Sequence, residues 1–262
     1  MERMLVVVFE NELKAYDGSK ALKALDSEGS ISVHAEAVIK KNDDGTITVK
    51  QEGDDFPIRT VGGAAVGSLI GLLGGPIGVA VGAVGGTLAG GAWDINRAGV
   101  DKDFLADVSA KLTPGKWAIV SEISEDWVTP VDTSIGRLGG TVFRVARSNV
   151  VHEQYAKDIA AIKAEIAQLK AKQAKSRADQ KTKLQTKIDD LNKKRQAKLE
   201  QAKQASKQRK KETKVKVEAL EEKAAKAKGE AKAAIEKRID HIKETEQDSA
   251  EDFDKWLKGE EP

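Results

Sequence analysis

The chain has 262 residues, with 44 basic and 42 acidic side chains and a formal net charge of +2 at pH 7, which suits one or two domains. It contains no cysteine, which excludes disulfides and thiolate metal sites, and its three histidines lie far apart without metal-ligand spacing. We therefore predict no metal site and no cofactor. The first apolar run, residues 5–9, is too short for the core of a signal peptide, which predicts a cytoplasmic start.

The first 50 residues carry the patterns of a small α+β domain. Residues 5–9 are a compact apolar run typical of a buried strand, and residues 11–25 have apolar positions at helical spacing. Alternation predicts a half-buried strand over 31–39, in which one face carries Ile31, Val33, Ala35, Ala37 and Ile39. An Asp-Gly turn at residues 44–45 then predicts a hairpin to a partner strand at 46–51.

Residues 61–92 contain no charged side chain and 12 glycines, many of them spaced four apart. On a helix this spacing places glycines on nearly one face, so that two backbones can approach closely. The glycines form two series with a four-residue step, and these series predict a glycine-zipper packing or membrane-contact surface. Its residues are Gly63, Gly67, Gly71, Gly75, Gly78, Gly82, Gly86 and Gly90.

The glycine-rich segment is interrupted at its centre by Gly74, Gly75 and Pro76, which predict a hairpin turn. Each arm then has about 13–16 residues, or roughly 20–24 Å of helix, whereas a bilayer core is about 30 Å thick. We therefore favour a hairpin that dips into one leaflet or packs against its copies. The alternatives are a flexible linker and a buried soluble hairpin, although linkers are normally polar.

Beyond this segment, the patterns predict a helix over 101–112, a strand over 117–123 and a last strand over 141–146. This order indicates a ferredoxin-like α+β sandwich. We predict that the sandwich comprises residues 1–60 and 93–149, with the glycine-zipper helical hairpin of 61–92 inserted. The acidic pairs of this half lie in turn-like sequence, and no Gly-Lys-Ser/Thr motif follows the glycines, so we predict no catalytic residues and no nucleotide site.

Three segments in this order carry a family resemblance: MLVVVFENELKAYDGSKAL, VGGAAVGSLIGLLGGPIGVAVGAVGGTLAGGAWD and GKWAIVSEISEDW. Together they resemble a bacterial family of predicted membrane proteins of unknown function, the domain of unknown function 1269 type, over roughly residues 1–150. The resemblance implies membrane association and supplies no catalytic residues. It does not extend to the long C-terminal extension.

Residues 150–258 predict a charged helical extension. They contain no proline and one glycine, Gly229, where the helix is expected to break. Apolar residues at three- and four-residue steps predict a thin coiled-coil seam. The seam residues are Ile159, Ile162, Ile166, Leu169, Leu184, Ile188 and Leu191. The alternative is a partly disordered charged tail, because the seam is interrupted by polar positions.

Charge is distributed in blocks along this extension. Residues 163–216 hold 19 basic and 6 acidic side chains, a net charge of +13, whereas residues 217–262 hold 9 and 14, a net charge of −5. The blocks predict pairing between segments or copies, or contact between the basic block and anionic lipid. If residues 230–257 fold back, Phe253, Trp256 and Leu257 would form an apolar clasp. Nucleic-acid contact would be non-specific, since aromatic residues are absent between Tyr155 and Phe253.

These features favour a non-enzymatic, self-assembling, membrane-associated scaffold protein. We expect a homo-oligomer that contacts membrane lipid, located at the cytoplasmic side of the inner membrane or in a cytoplasmic assembly. No small-molecule substrate is identified. The alternative function is a soluble stress-related or sensory protein whose ferredoxin-like domain binds a small ligand.

Overall fold

A computed structural model describes residues 1–50, 64–74, 79–80, 100, 102–146 and 150–258. The strands are β1 (Glu2–Phe9), β2 (Ile31–Lys41), β3 (Ile47–Lys50), β4 (Val79–Ala80), β5 (Trp117–Glu125) and β6 (Thr141–Ala146). The helices are α1 (Glu12–Ser27), α2 (Ala64–Leu73), α3 (Lys102–Lys111), α4 (Thr129–Arg137), α5 (Val150–Ala174), α6 (Ala178–Lys226) and α7 (Gly229–Lys258).

The chain divides into two compact units. The first comprises residues 1–148 and 211–247, and the second comprises residues 149–210 and 248–262. This division differs from the predicted boundary between 149 and 150. The end of α6 and most of α7 belong with the sheet, because buried charged side chains on these helices bond to it.

The first unit is built on one sheet with the strand order β4-β3-β2-β5-β1-β6. All neighbouring strands are antiparallel except β3 and β4, which are parallel. Its central four strands, β2-β5-β1-β6, have the order of a ferredoxin-like sandwich, in which α1 connects β1 to β2 and α4 connects β5 to β6. The α+β fold class predicted from the sequence is therefore confirmed.

The second connecting helix of the sandwich was missed in the sequence. It is α4, whose Val131 and Ile135 pack with α1 on one face of the sheet, whereas the predicted helix near 101–112, observed as α3, packs on the opposite face. The signal of α4 is weak because the helix has nine residues and begins at Thr129-Pro130. Proline is accepted there because the first turn of a helix needs no N–H at that position.

The sheet has an apolar layer on each face. One cluster joins β1 and β5 to α2 and α3 through residues such as Val6, Leu69 and Val108. The other joins the opposite side of the same strands to α1 and α4 through Leu5, Leu22 and Ile135. All nine residues of β5 are buried, as expected for a strand that is paired on both edges and covered on both faces.

A β-bulge in β2 makes the predicted facing of this strand wrong. The register with β5 shifts between Val33 and Ala35. As a result Ile31 and Val33 contact one apolar cluster, whereas Ala35, Ala37 and Ile39 contact the other. A bulge inserts one residue and so exchanges the two faces, which an alternating sequence pattern does not reveal.

The glycine-rich segment is described in part. Its first arm is helix α2, which contains Gly67 and Gly71 and ends next to Gly74. Of the second arm, the structure describes Val79–Ala80, which are extended rather than helical because they pair with Ile47–Thr48. Several predicted packing or turn residues lie outside the described residues. They are Gly63, Gly75, Pro76, Gly78, Gly82, Gly86 and Gly90.

The second unit contains α5, the first part of α6 and the end of α7. Predicted seam residues Ile159, Ile166 and Ile188 are buried, and the other four are half-buried. The four half-buried seam residues are Ile162, Leu169, Leu184 and Leu191. The long helix breaks at residues 175–177, which the sequence analysis did not predict.

The fold-back considered as one possibility from the sequence is present. In the first unit, α6 and α7 meet through an apolar cluster that includes Leu220, Ile235 and Ile239, close to the break at Gly229. In the second unit, Phe253 packs with Tyr155 and Ala202, and the Phe253 and Trp256 rings stack at 5.5 Å. Phe253 and Trp256 of the predicted apolar clasp thus pack together, and the side chain of the third predicted residue, Leu257, lies outside the described part.

Candidate functional site

One face of the sheet is apolar over most of its length and polar at one end. On β1 the face runs from Val6 and Met4 to Glu2, and on β5 it runs from Val120 to Glu122 and Ser124. The β2 bulge adds His34, whose Nε2 lies 2.8 Å from Ser124 Oγ. The sheet therefore presents carboxylates, an imidazole and a hydroxyl in one patch.

Lys216 of α6 places its ammonium group in this patch. Its Nζ donates to Glu122 Oε1 at 2.5 Å and to Glu2 Oε1 at 2.8 Å. The Lys216 side chain is 3% exposed and that of Glu122 is 0% exposed, so that both charges have left water. Because a lone buried charge is far more costly than a paired one, the pair fixes where α6 lies on the sheet.

Arg238 of α7 makes the second attachment. Its guanidinium donates to the carbonyl oxygens of Gly29 and Ser30, to Ser32 Oγ and to Asp126 Oδ2, at 3.0–3.2 Å. Gly29 has φ +78°, and a Cβ there would lie 2.8 Å from the Cβ of Ala231. Glycine is therefore needed both for the turn and for the close approach of α7.

Lys223 adds an ion pair at the same edge. Its Nζ donates to both carboxylate oxygens of Asp26, at 2.8 and 2.7 Å, and Asp26 Oδ1 also accepts from the backbone N–H of Val33. Three basic side chains of the helical extension thus bond to the sheet, to the turn that precedes β2 or to the end of α1. We call this set, Lys216, Lys223 and Arg238, the docking cations.

The pKa of His34 is lowered by burial in this patch. Burial of the ring, with the Lys216 ammonium as the next cause, lowers its pKa from 6.5 to about 4, although the residue as a whole is half-buried. At neutral pH the imidazole is uncharged. It therefore shares a hydrogen bond with Ser124 without adding a second cation beside Lys216.

Truncation after Val150 is expected to raise the pKa of His34 toward 6.5, because the fragment lacks Lys216 and the helices that contribute to burial. Both apolar clusters of the sheet consist of residues within 1–145, so we expect the fragment to fold. The fragment contains one histidine, and its ring can be titrated by NMR. A pKa that stays near 4 in the fragment would assign the shift to the sheet alone.

Two further carboxylates are buried on the opposite face. Glu36 Oε1 accepts from Ser19 Oγ at 2.6 Å, and burial raises the Glu36 pKa from 4.5 to about 7. Glu125 lies 3.1 Å from Arg3 Nε and 3.2 Å from Arg144 Nε. Burial raises the Glu125 pKa even though both guanidinium groups oppose the shift.

These groups connect elements of the fold to one another. Glu36 and Glu122 accept hydrogen bonds from side chains of helices, and Glu125 forms ion pairs with side chains of neighbouring strands. Within the described ranges, no three acidic or histidine side chains converge as metal ligands would. A shallow groove of about 410 Å³ lies elsewhere, next to Trp127, which is 69% exposed.

The residues predicted from the sequence and the residues found here are different sets. The docking cations and the three buried glutamates were not singled out in the sequence. Glu122 and Glu125 had a detectable signal, because charged residues inside an otherwise apolar central strand need buried partners. The docking cations had none, since Lys216 is one of 19 basic residues in the block 163–216, and Lys223 and Arg238 are two of nine in the block 217–262.

Among the helices that the structure describes, none combines the length and the apolarity needed to cross a bilayer. No curated protein and no solved structure matches this chain significantly. A family model described as a protein of unknown function, DUF1269, matches residues 60–160. The match confirms the resemblance in kind but covers a different range from the expected 1–150. The chain is therefore similar to the DUF1269 family of unknown function over residues 60–160, which is less than half of its length.

Proposed function

We propose that the protein is a non-enzymatic scaffold that self-assembles and associates with membranes. In this proposal the uncharged segment 61–92 contacts other copies or lipid, and the helical extension contacts partners. The protein would work at the cytoplasmic side of the inner membrane or in a cytoplasmic assembly. The family match is compatible with this proposal but assigns no activity.

The observation that carries the proposal is the orientation of α2. Its Val66, Leu69 and Leu73 are buried against the sheet, while Gly67 and Gly71 are half-buried and lie on the other side of the helix. A Cβ at Gly67 would meet no atom of the described residues within 4 Å. The apolar side of α2 is thus used within the domain, and the glycine side has room for a second backbone.

The use of buried charge also supports a structural role. Lys216, Glu122 and Arg238 are buried and bonded between elements, so they attach the end of α6 and most of α7 to the rest of the first unit. Catalytic groups, in contrast, normally face a cleft in which a substrate can reach them. The attached helices would then act as a fixed platform for assembly.

Replacing Gly67 by leucine is expected to abolish self-association while leaving the domain folded. The new side chain enters open space in the single chain but would fill the groove that a second helix needs. Sedimentation of the wild type and the variant measures the effect. Gly136→Leu is the matched control, because Gly136 is also helical and has no atom of the described residues near its Cβ position, although it is exposed and Gly67 is half-buried. Equal association of all three proteins would contradict the glycine contact.

Membrane flotation separates this proposal from the alternative function. Recovery of the wild type with vesicles, in an oligomeric form, is the expected result. Recovery wholly as a soluble monomer would instead favour the sensory or stress-related ligand-binding protein. The groove next to Trp127 would then be the first place to examine for a ligand.

A further inference from the structure

The turn between α5 and α6 carries a cluster of positive charge. Residues 172–187 contain six basic side chains and one acidic one, Asp179. All six basic residues are exposed. We call this set the basic tip. It consists of Lys172, Lys175, Arg177, Lys181, Lys183 and Lys187.

Hydrogen bonds hold the basic tip in one place. Gln173 Nε2 at the end of α5 donates to the Lys181 carbonyl oxygen at 3.2 Å and to Gln185 Oε1 at 2.9 Å, both on α6. Ser176 Oγ closes the turn by donating to the Lys172 carbonyl oxygen at 2.8 Å. Because α6 rises about 1.5 Å per residue, all six cations lie within roughly 15 Å along the helix pair.

We propose that the basic tip is the surface through which the protein binds the headgroups of an anionic lipid bilayer. This inference rests on the proposed membrane association and names the part of the chain that provides it. Clusters of four to eight basic residues on helices are typical of contact with anionic lipids, and each residue contributes about 1 kcal/mol near such a surface. The basic tip falls within this range.

The chemistry of the basic tip favours a bilayer over nucleic acid. Five of its six cations are lysines, which act as hydrated point charges, whereas arginine supplies the paired bonds typical of specific phosphate recognition. There is no aromatic residue between Tyr155 and Phe253 on which a base could stack. A set of lysines at a helical turn suits a mobile layer of anionic headgroups.

The test is flotation of the full chain with phosphatidylcholine vesicles, with and without phosphatidylserine. The test variant is Lys172→Gln, Lys175→Gln, Lys181→Gln and Lys183→Gln. The control variant replaces the same number of exposed lysines elsewhere on α6, by Lys193→Gln, Lys203→Gln, Lys207→Gln and Lys210→Gln. Glutamine is nearly as good a helix former as lysine, so circular dichroism should be unchanged.

We expect the wild type to bind the phosphatidylserine vesicles, and the binding should weaken as salt rises from about 0.1 to about 1 M, because the Debye length falls from about 10 to about 3 Å. The tip variant should bind at least about a hundredfold more weakly, at roughly fivefold per cation removed. The control variant should stay within about threefold of the wild type.

Three results would overturn the inference. If all three proteins bind vesicles equally, the basic tip is not the contact, and membrane association through another segment stands. If the wild type binds neither vesicle, both the inference and the proposed membrane association fail. If the basic tip is needed for binding duplex DNA but the wild type does not bind vesicles, the partner is nucleic acid.

Discussion

Replacing Lys216 by alanine is expected to lower the free energy of unfolding of the chain by about 3–5 kcal/mol. The variant leaves the Glu122 carboxylate, which is 0% exposed, without the ammonium that now lies 2.5 Å away. Denaturant unfolding at pH 7, followed by circular dichroism, measures the loss. The expected loss of stability is large because the Glu122 charge is left unpaired in the sheet. It does not measure the net contribution of the ion pair to stability.

Lys214→Ala is the matched control for this prediction. Lys214 lies two residues earlier on the same helix, is 78% exposed, and faces Glu218 at 3.9 Å. An exposed pair of this kind contributes about 0.3–0.5 kcal/mol. Adding Glu122→Gln to Lys216→Ala should recover part of the loss, because the buried charge is then removed. An effect of Lys216→Ala no larger than that of the control would disprove the role of Lys216.

Replacing Glu36 by glutamine is expected to stabilise the protein at high pH and to leave it nearly unchanged at pH 4.5. The folded pKa of Glu36 is raised to about 7, so the folded state holds a proton that the unfolded chain releases near 4.5. The stability contributed by this proton is present below pH 4.5 and is lost as pH rises through 7. At pH 8 the variant should be more stable than the wild type by about 3 kcal/mol.

The wild type and the variant must be compared at each pH, because the titration of His34 changes the stability of the protein in the opposite direction. Its folded pKa is lowered to about 4, so its effect is a gain in stability as pH rises from about 4 to 6.5. The difference between wild type and Glu36→Gln removes this contribution. Glu12→Gln, an exposed residue of α1, is the control and should show no such trend between pH 5 and 8. A constant difference for Glu36→Gln over this range would refute the buried, protonated carboxyl.

Lys216 and the basic tip show how one charged block can have two uses. Lys216 belongs to the stretch 163–216, with its net charge of +13, yet it is buried in the sheet. Lysines of the basic tip belong to the same stretch and are exposed. Screening by salt should therefore affect contacts of the basic tip strongly and the Lys216 pair weakly, since buried pairs are shielded from ions.

The sequence by itself determined the α+β class, most strands and helices of the first 146 residues, and the helical nature of residues 150–258. These follow from local patterns: apolar alternation, helical spacing, and glycine or proline at the ends of elements. Of the seven predicted seam residues, Ile159, Ile166 and Ile188 are buried, and the coiled-coil seam itself stays a prediction. The short helix α4 was not predicted, because its pattern extends over nine residues.

Tertiary structure alone decided which faces and which charges matter. The bulge after Val33 exchanged the faces of β2, and the pairing of Val79–Ala80 with β3 made these residues extended. The choice of Lys216, Lys223 and Arg238 among 44 basic residues depends on the fold-back of α6 and α7, which brings residues about 90 to 210 positions apart into contact. Local sequence patterns do not reveal such distant pairs, because a charged side chain becomes structurally important only when burial removes its hydration.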